Sequence, residues 1–159
     1  MDALLKLLSE NARFSAEELA TFLELSPEEV RAHVARLEKD GVIRGYTALI
    51  NWEKVDAGRV TALIELRVTP QPDAGFEQIA EHIMRLPQVE SVYLMSGGYD
   101  LCVTVCGESF RDVAMFVAKR LATVRGVLST ATHFVLRRYK DMGVELCDPL
   151  ADDRGTVSL

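Results

Sequence analysis

The stretch SAEELATFLELSPEEVRAHVARLEKD, Ser15 to Asp40, reads as two short helices meeting at a tight corner. Ser15 with Glu18, and Ser26 with Glu29, are S-x-x-E capping boxes that can satisfy the orphan amides at two helix starts. Pro27 takes the first helical position of the second helix, where a missing N–H costs nothing. Leu19, Ala20 and Leu23 on one helix, and Val30, Val34 and Leu37 on the other, fall at 3.6-residue spacing and form the apolar faces. Only Glu24 and Leu25 join the two, which suits a helix-turn-helix corner. Such a corner presents the outer face of its second helix, and the DNA major groove is the commonest acceptor. The same spacing also serves an ordinary helical pair in a bundle.

Working outward, Asp2 to Glu10 reads as a first helix with Leu4, Leu5 and Leu8 as its stripe, and Asn11 to Arg13 link it to the second. On the third helix the side away from Val30, Val34 and Leu37 carries Glu28, Ala32, Arg36 and Lys39, with Arg31 and His33 on the flanks. Arg31 and Arg36 have the reach for phosphates or guanine edges, and Ala32 is small enough to let a helix approach closely. Ser26, Glu28, Arg31, Ala32, His33, Arg36, Lys39 and Arg44 are therefore the candidate DNA-contacting residues, with a solvated charged face as the plainer reading of each. Gly41 reads as a left-handed cap, and VIRGYTALIN (Val42 to Asn51) as a short hairpin or wing running into a polar connector.

From Val60 the period changes from 3.6 to 2. Val60, Ala62, Ile64, Leu66 and Val68 alternate with Thr61, Leu63, Glu65, Arg67 and Thr69, a strand with one apolar face. Thr69 to Asp73, with Pro70 and Pro72, breaks it. A helix through Phe76, Ile79, Ala80, Ile83 and Leu86 follows, then strands Ser91 to Ser96 and Leu101 to Cys106 around the turn Gly97 to Asp100. Phe110, Val113, Ala114, Val117, Leu121 and Val124 mark a second helix, and Thr130 to Arg138 a fourth strand. The order βαββαβ is the ferredoxin-like arrangement. Phe76, Ile79, Ala80 and Ile83 repeat at an offset of 34 as Phe110, Val113, Ala114 and Val117, as expected if two β-α units pack their helices on one sheet face. The other face, carrying residues such as Leu63, Tyr93 and Val135 or their alternating neighbours, then needs cover from a second copy. The expected division is a winged helix-turn-helix at residues 1–50, a linker at 51–59, a ferredoxin-like domain at 60–146 and a polar tail at 147–159.

The chain of 159 residues is 48% apolar and carries a net charge of −6. Residues 1–56 hold seven Lys/Arg against eleven Asp/Glu, so DNA affinity has to come from local placement and from repetition of the module in an oligomer. No apolar run approaches the roughly 20 residues of a membrane span, and the amphipathic start MDALLKLLSE is unlike a signal peptide. Cys102 and Cys106 on one strand face stand about 13 Å apart, too far for a bridge. They read as small buried hydrophobes of a reducing, cytoplasmic compartment. His33, His82 and His133 lack metal-ligand spacing, so no metal, cofactor or catalytic residue is expected.

The segments LSPEEVRAHVARLEKDGVIRGYTALIN (Leu25 to Asn51), SGGYDLCVTV (Ser96 to Val105) and GVLSTATHFVLRRYK (Gly126 to Lys140) together resemble the leucine-responsive regulator/AsnC family of feast-or-famine transcription regulators. The resemblance runs from about Asp2 to Leu146. It implies a DNA-binding domain joined to an effector-binding one, dimers paired through their sheets, and assembly into tetramers or octamers. A small ligand, often an amino acid, is implied between dimers near a Gly-x-x-Asp turn, here Gly97 to Asp100. Gly97 and Gly98 can offer backbone N–H groups to a carboxylate, Asp100 can pair with an ammonium, and Met95, Tyr99, Thr130 and Thr132 would bound the pocket. A plain hairpin turn capped by Asp100 is the alternative. His33 departs from the arginine usual there. The sirohaem decarboxylase branch is similar in both domains but tends to a histidine-rich stretch and Tyr-Asn where this chain has Tyr99-Asp100. A sensing or assembly module with weak or lost DNA binding is the other rival.

Overall fold

The computed structural model describes residues 2–55, 58–70 and 75–147. Asp56 and Ala57 of the connector, most of the Pro70–Asp73 break, and the tail beyond Cys147 lie outside the described residues. The chain divides into two compact units, Met1–Leu49 and Ile50–Leu159.

The first unit holds α1 (Ala3–Glu10), α2 (Ala16–Leu23) and α3 (Pro27–Lys39). Both capping boxes form: Ser15 and Ser26 each accept from the third helical amide, and Glu18 and Glu29 reach back to the cap N–H. The corner closes because Glu24 adopts a left-handed conformation (φ 56°) and the Leu25 N–H donates to the Ala20 carbonyl at 3.1 Å. Leu4, Leu19, Ala20, Val30 and Leu37 form the core, with Leu5, Leu8, Leu23 and Val34 partly buried against it. Gly41 (φ 70°) ends α3, as its position implied. The expected hairpin after it does not form. Residues 42–50 carry no strand pairing with any described residue, and Tyr46 instead sends its hydroxyl back to Glu38 of α3 at 3.0 Å.

The second unit runs β1 (Val60–Val68), α4 (Glu77–Met84), β2 (Val89–Leu94), β3 (Leu101–Gly107), α5 (Phe110–Phe116), a π-helical turn at Val117–Leu121, and β4 (Val127–Phe134). All pairings are antiparallel, in the order β2-β3-β1-β4. This is the βαββαβ sheet. Ala62, Ile64 and Leu66 of β1, with Leu101, Val103 and Val105 of β3, are fully buried under Ile79, Ile83, Val113, Phe116 and Leu121. Each such Val, Leu, Ile or Phe side chain contributes about 1.5–3 kcal/mol through burial.

Three details differ from the sequence reading. The fourth strand runs from Val127 to Phe134 rather than from Thr130 to Arg138; Val127 pairs with Val68 beyond a register shift that leaves Leu128 without a partner on β1. Phe110 of the repeated pattern stays outside the core, edge-to-face with Phe134 at 4.8 Å between centroids. The connector is part of the second unit. Trp52–Lys54 forms a 3-10 turn, the Asn51 amide donates to the Leu146 carbonyl at 2.7 Å, and the Arg59 guanidinium stacks 4.4 Å over Trp52. A small hairpin, β5 (Lys140–Asp141) with β6 (Val144–Glu145), follows the sheet.

Candidate functional site

In the first unit, α3 carries the candidate DNA face. Ser26 is used as its cap, and Glu29 is used by Ser26. The Ser26 N–H, and then its hydroxyl, hold the Glu29 carboxyl below its ordinary range. Glu29 is thus committed to the helix start. Arg31 is clasped by two carboxylates, Glu17 of α2 and Glu28 of its own helix, the latter at 3.4 Å. Its positive charge is offset before any phosphate arrives. His33 turns toward α1, with Nε2 2.9 Å from the carboxylate of Asp2, which itself caps α1 by accepting from the Leu4 N–H. It serves the helix junction rather than the outer face. Ala32, Arg36, Lys39 and Arg44 are exposed, and no ion pair is formed by Arg36, Lys39 or Arg44 among the described residues. The free cations therefore sit in the second half of α3 and just past it, while its first half is acidic.

In the second unit, the β2–β3 turn is fastened at both ends. The Met95 N–H donates to the Asp100 carbonyl at 2.8 Å. The Asp100 N–H donates to the Leu66 carbonyl at 2.9 Å, and its carboxylate accepts from the Val68 N–H at 2.8 Å. Asp100 thus pins the turn to the end of β1, and one carboxylate oxygen is spent on doing so. Gly97 and Gly98 form the exposed tip. A Cβ on either would meet nothing within 4 Å, and neither has a positive φ, so this protomer gives no reason for glycine at either place. Their N–H groups donate to no partner among the described residues.

Tyr99 lies against the Cys102 thiol on the sheet face away from the helices. Burial, then Cys102 and Glu65, push its phenol above the ordinary value, so it stays protonated and neutral. Thr130 and Thr132 pair with Leu66 and Ile64 and so point to the helix-covered side. One protomer therefore brings together Met95, Gly97, Gly98, Tyr99 and Asp100, and leaves the two threonines on the opposite face. Arg67 escaped the sequence reading. Alternation along β1 places it on the Glu65 face, one residue beyond the Leu66 carbonyl that holds Asp100, and it is exposed without a partner among the described residues. On the same open face Leu63 (42% exposed) and Tyr93 (58%) flank a Glu65–His133 pair at 3.4 Å. Among the described residues no group of His, Cys, Asp or Glu is placed to hold a metal, and no helix is long and apolar enough to cross a membrane.

Residues 3–44 match the winged helix-turn-helix DNA-binding description, and residues 61–144 match the Lrp/AsnC ligand binding domain. The chain is 47% identical over 141 residues to the uncharacterized HTH-type transcriptional regulator YugG of Bacillus subtilis, covering 88% of this chain and 85% of that one. It is 31% identical over 137 residues to the HTH-type transcriptional regulator LrpA of Pyrococcus abyssi, covering 86% and 94%. Among solved structures, the transcriptional regulator NMB0573 of Neisseria meningitidis in complex with L-Met superposes with a TM-score of 0.71 at 28% identity, over 90% of this chain and 92% of that one. The chain belongs to the Lrp/AsnC family and is a DNA-binding transcription regulator rather than an enzyme.

Proposed function

We propose that this regulator responds to a small ligand, an amino acid, held at the turn Met95 to Asp100 between dimers, and that the ligand alters its assembly or its DNA affinity. The observation that carries this is the pair of glycines whose missing side chains leave space that nothing in the protomer uses. Free N–H groups at Gly97 and Gly98, with the Arg67 cation nearby, suit a carboxylate, and the remaining oxygen of Asp100 suits an ammonium. The relative solved with L-Met supports the ligand class by analogy. Thr130 and Thr132 belong to the site only if a neighbouring protomer presents its own edge strand. Pairing of two copies through the open faces around Leu63 and Tyr93, and of dimers into tetramers or octamers, completes the reading of a cytoplasmic oligomer.

On DNA, Arg36, Lys39 and Arg44 carry the phosphate contacts, and Arg31 joins them by exchanging its carboxylates for phosphate. Glu28 and Ala32 shape the approach of the helix, while Ser26 and His33 act indirectly, through the helix cap and the junction with α1. The ligand acts by binding one arrangement of the assembly better than another, since only differential affinity shifts occupancy.

The clean test is Gly98→Val. An added Cβ meets nothing within 4 Å, so folding is expected to be unchanged while the ligand's space is filled. Loss of the amino-acid response with an unaltered melting temperature is the expected result. A full response in this variant moves the site elsewhere. A second reading, a sensing module with lost DNA binding, is favoured only by the clasp on Arg31, and unchanged DNA affinity in Arg36→Ala and Lys39→Ala would support it.

A further inference from the structure

The stretch that joins α3 to β1 is fastened near both ends and bare in the middle. On the helical side the Val42 and Ile43 N–H groups donate to the Leu37 carbonyl at 2.9 and 3.1 Å, and the Tyr46 hydroxyl meets Glu38 at 3.0 Å. On the sheet side the partners come from the chain beyond β4. The Asn51 side-chain amide donates to the Leu146 carbonyl at 2.7 Å, and the Glu53 carboxylate accepts from the Arg138 N–H at 2.9 Å. Between these fastenings, residues 47–50 donate no backbone hydrogen bond among the described residues.

The clasp is itself tied down. The Leu146 N–H donates to the Tyr139 carbonyl at 2.9 Å, which closes the base of the β5–β6 hairpin. The Arg138 guanidinium donates to the Thr61 hydroxyl of β1 at 3.1 Å. Arg59, stacked 4.4 Å over Trp52, pairs with Glu90 of β2 at 2.6 Å. The small hairpin after the sheet thus has a role, since the two residues at its base supply the carbonyl and the N–H that grip positions 51 and 53.

We propose that Asn51 and Glu53 are positioning residues for DNA binding: clasped by Leu146 and Arg138, they keep the tether of each DNA-binding unit short and so fix the spacing of the two half-sites that a dimer can engage, a role that rests on the dimer proposed above. Residues 47–50 reach about 14 Å at full extension, whereas a tether freed as far as the start of β1, residues 47–59, reaches about 45 Å. Five extra base pairs move one half-site about 17 Å along the duplex and onto its opposite side. The short tether cannot follow that shift, and the long one can. Freedom weakens binding at the native spacing. Effective concentration falls with about the −3/2 power of tether length, so a roughly threefold longer tether lowers paired binding about sixfold.

Anisotropy titrations of the full chain test this on three DNAs: its own upstream DNA, the same DNA with five base pairs inserted between the two footprinted half-sites, and a single half-site. Wild type binds the insertion about tenfold or more weakly than the native spacing. Asn51→Ala/Glu53→Ala binds the native spacing about sixfold more weakly than wild type and loses less than about threefold further on the insertion. It binds the single half-site like wild type and sediments as the same assembly. Because this variant removes contacts of the second unit, another leaves the clasp intact: Gly-Ser-Gly-Ser inserted after Ala48 lengthens the tether alone and relaxes the spacing in the same direction. Hydrogen exchange in wild type shows the Arg138 N–H protected and those of residues 47–50 open. Equal spacing dependence in wild type and the double variant, with the dimer intact, overturns the proposal. Unrelaxed spacing in the insertion variant, or rapid exchange at Arg138, overturns it as well. A wild type that sediments as a monomer overturns the dimer reading and this role with it.

Discussion

Replacing Glu17 by Gln should make this regulator bind DNA more tightly, although Glu17 lies on α2 rather than on α3. Arg31 is held by Glu17 and by Glu28, and each side chain is more than half exposed. Before Arg31 can reach a phosphate, that clasp has to open. An exposed ion pair of this kind is worth about 0.5 kcal/mol, so its removal gives roughly a twofold gain per arm and about fivefold for a dimer bound through two arms. Gln also removes a negative charge that would face the DNA backbone. The cost falls on folding, since Glu17 sits favourably in the first turn of α2, where a carboxylate is worth about 0.3–1 kcal/mol. The assay is fluorescence anisotropy on the upstream DNA of the protein's own gene at several salt concentrations. Tighter binding in Glu17→Gln should come with a steeper salt dependence, by about 0.9 in the logarithmic slope for each phosphate gained. Glu28→Gln should act in the same direction. Unchanged affinity and slope in both, with Arg31→Ala equally silent, refutes the role given to Arg31.

Arg36→Ala and Lys39→Ala should each weaken DNA binding and flatten its salt slope while sedimentation shows an intact assembly. Asp100→Ala should lower the stability of the second unit by about 1–3 kcal/mol, because the Val68 N–H loses its acceptor, and Asp100→Asn should lose less on a denaturant curve. Leu63→Glu, placed on the open face beside Glu65, should dissociate the proposed sheet-to-sheet dimer in sedimentation without lowering ligand-free helicity. Ser26 holds the Glu29 carboxyl below its ordinary range, so its contribution is present above the unfolded carboxylate pKa and is lost as pH falls through the depressed folded value. Ser26→Ala should therefore blunt the acid-side loss of melting temperature of the first unit.

The elements with strong periodicity were legible. The two capping boxes and the apolar spacings of α2 and α3 specify the corner, and the alternation from Val60 to Val68 specifies the central strand, because both signals are local. The rest depended on partners distant in sequence. The left-handed Glu24 that makes the corner is not a glycine, and the turn of the final hairpin uses Met142 and Gly143 at positive φ where Asn-Gly is the usual signal. The β-rich Val42 to Asn51 carries a strand composition, but no second strand among the described residues pairs with it. At the site, the sequence placed Asp100 in the turn but could not show that Val68 occupies one of its oxygens. Nor could it show that Arg31 is spent on Glu17, fourteen residues away and on another helix. Arg67 was within reach: the alternation that put Leu63 and Glu65 on the open face also puts Arg67 there, at the end nearest the turn.

The account stands or falls on a titration of the intact protein against its own upstream DNA at two salt concentrations, with and without an amino-acid mixture. The account predicts binding that weakens steeply with salt and shifts when the mixture is added, with the shift lost in Gly98→Val. Absence of binding at low salt with the oligomer intact, or binding indifferent to the mixture, contradicts it.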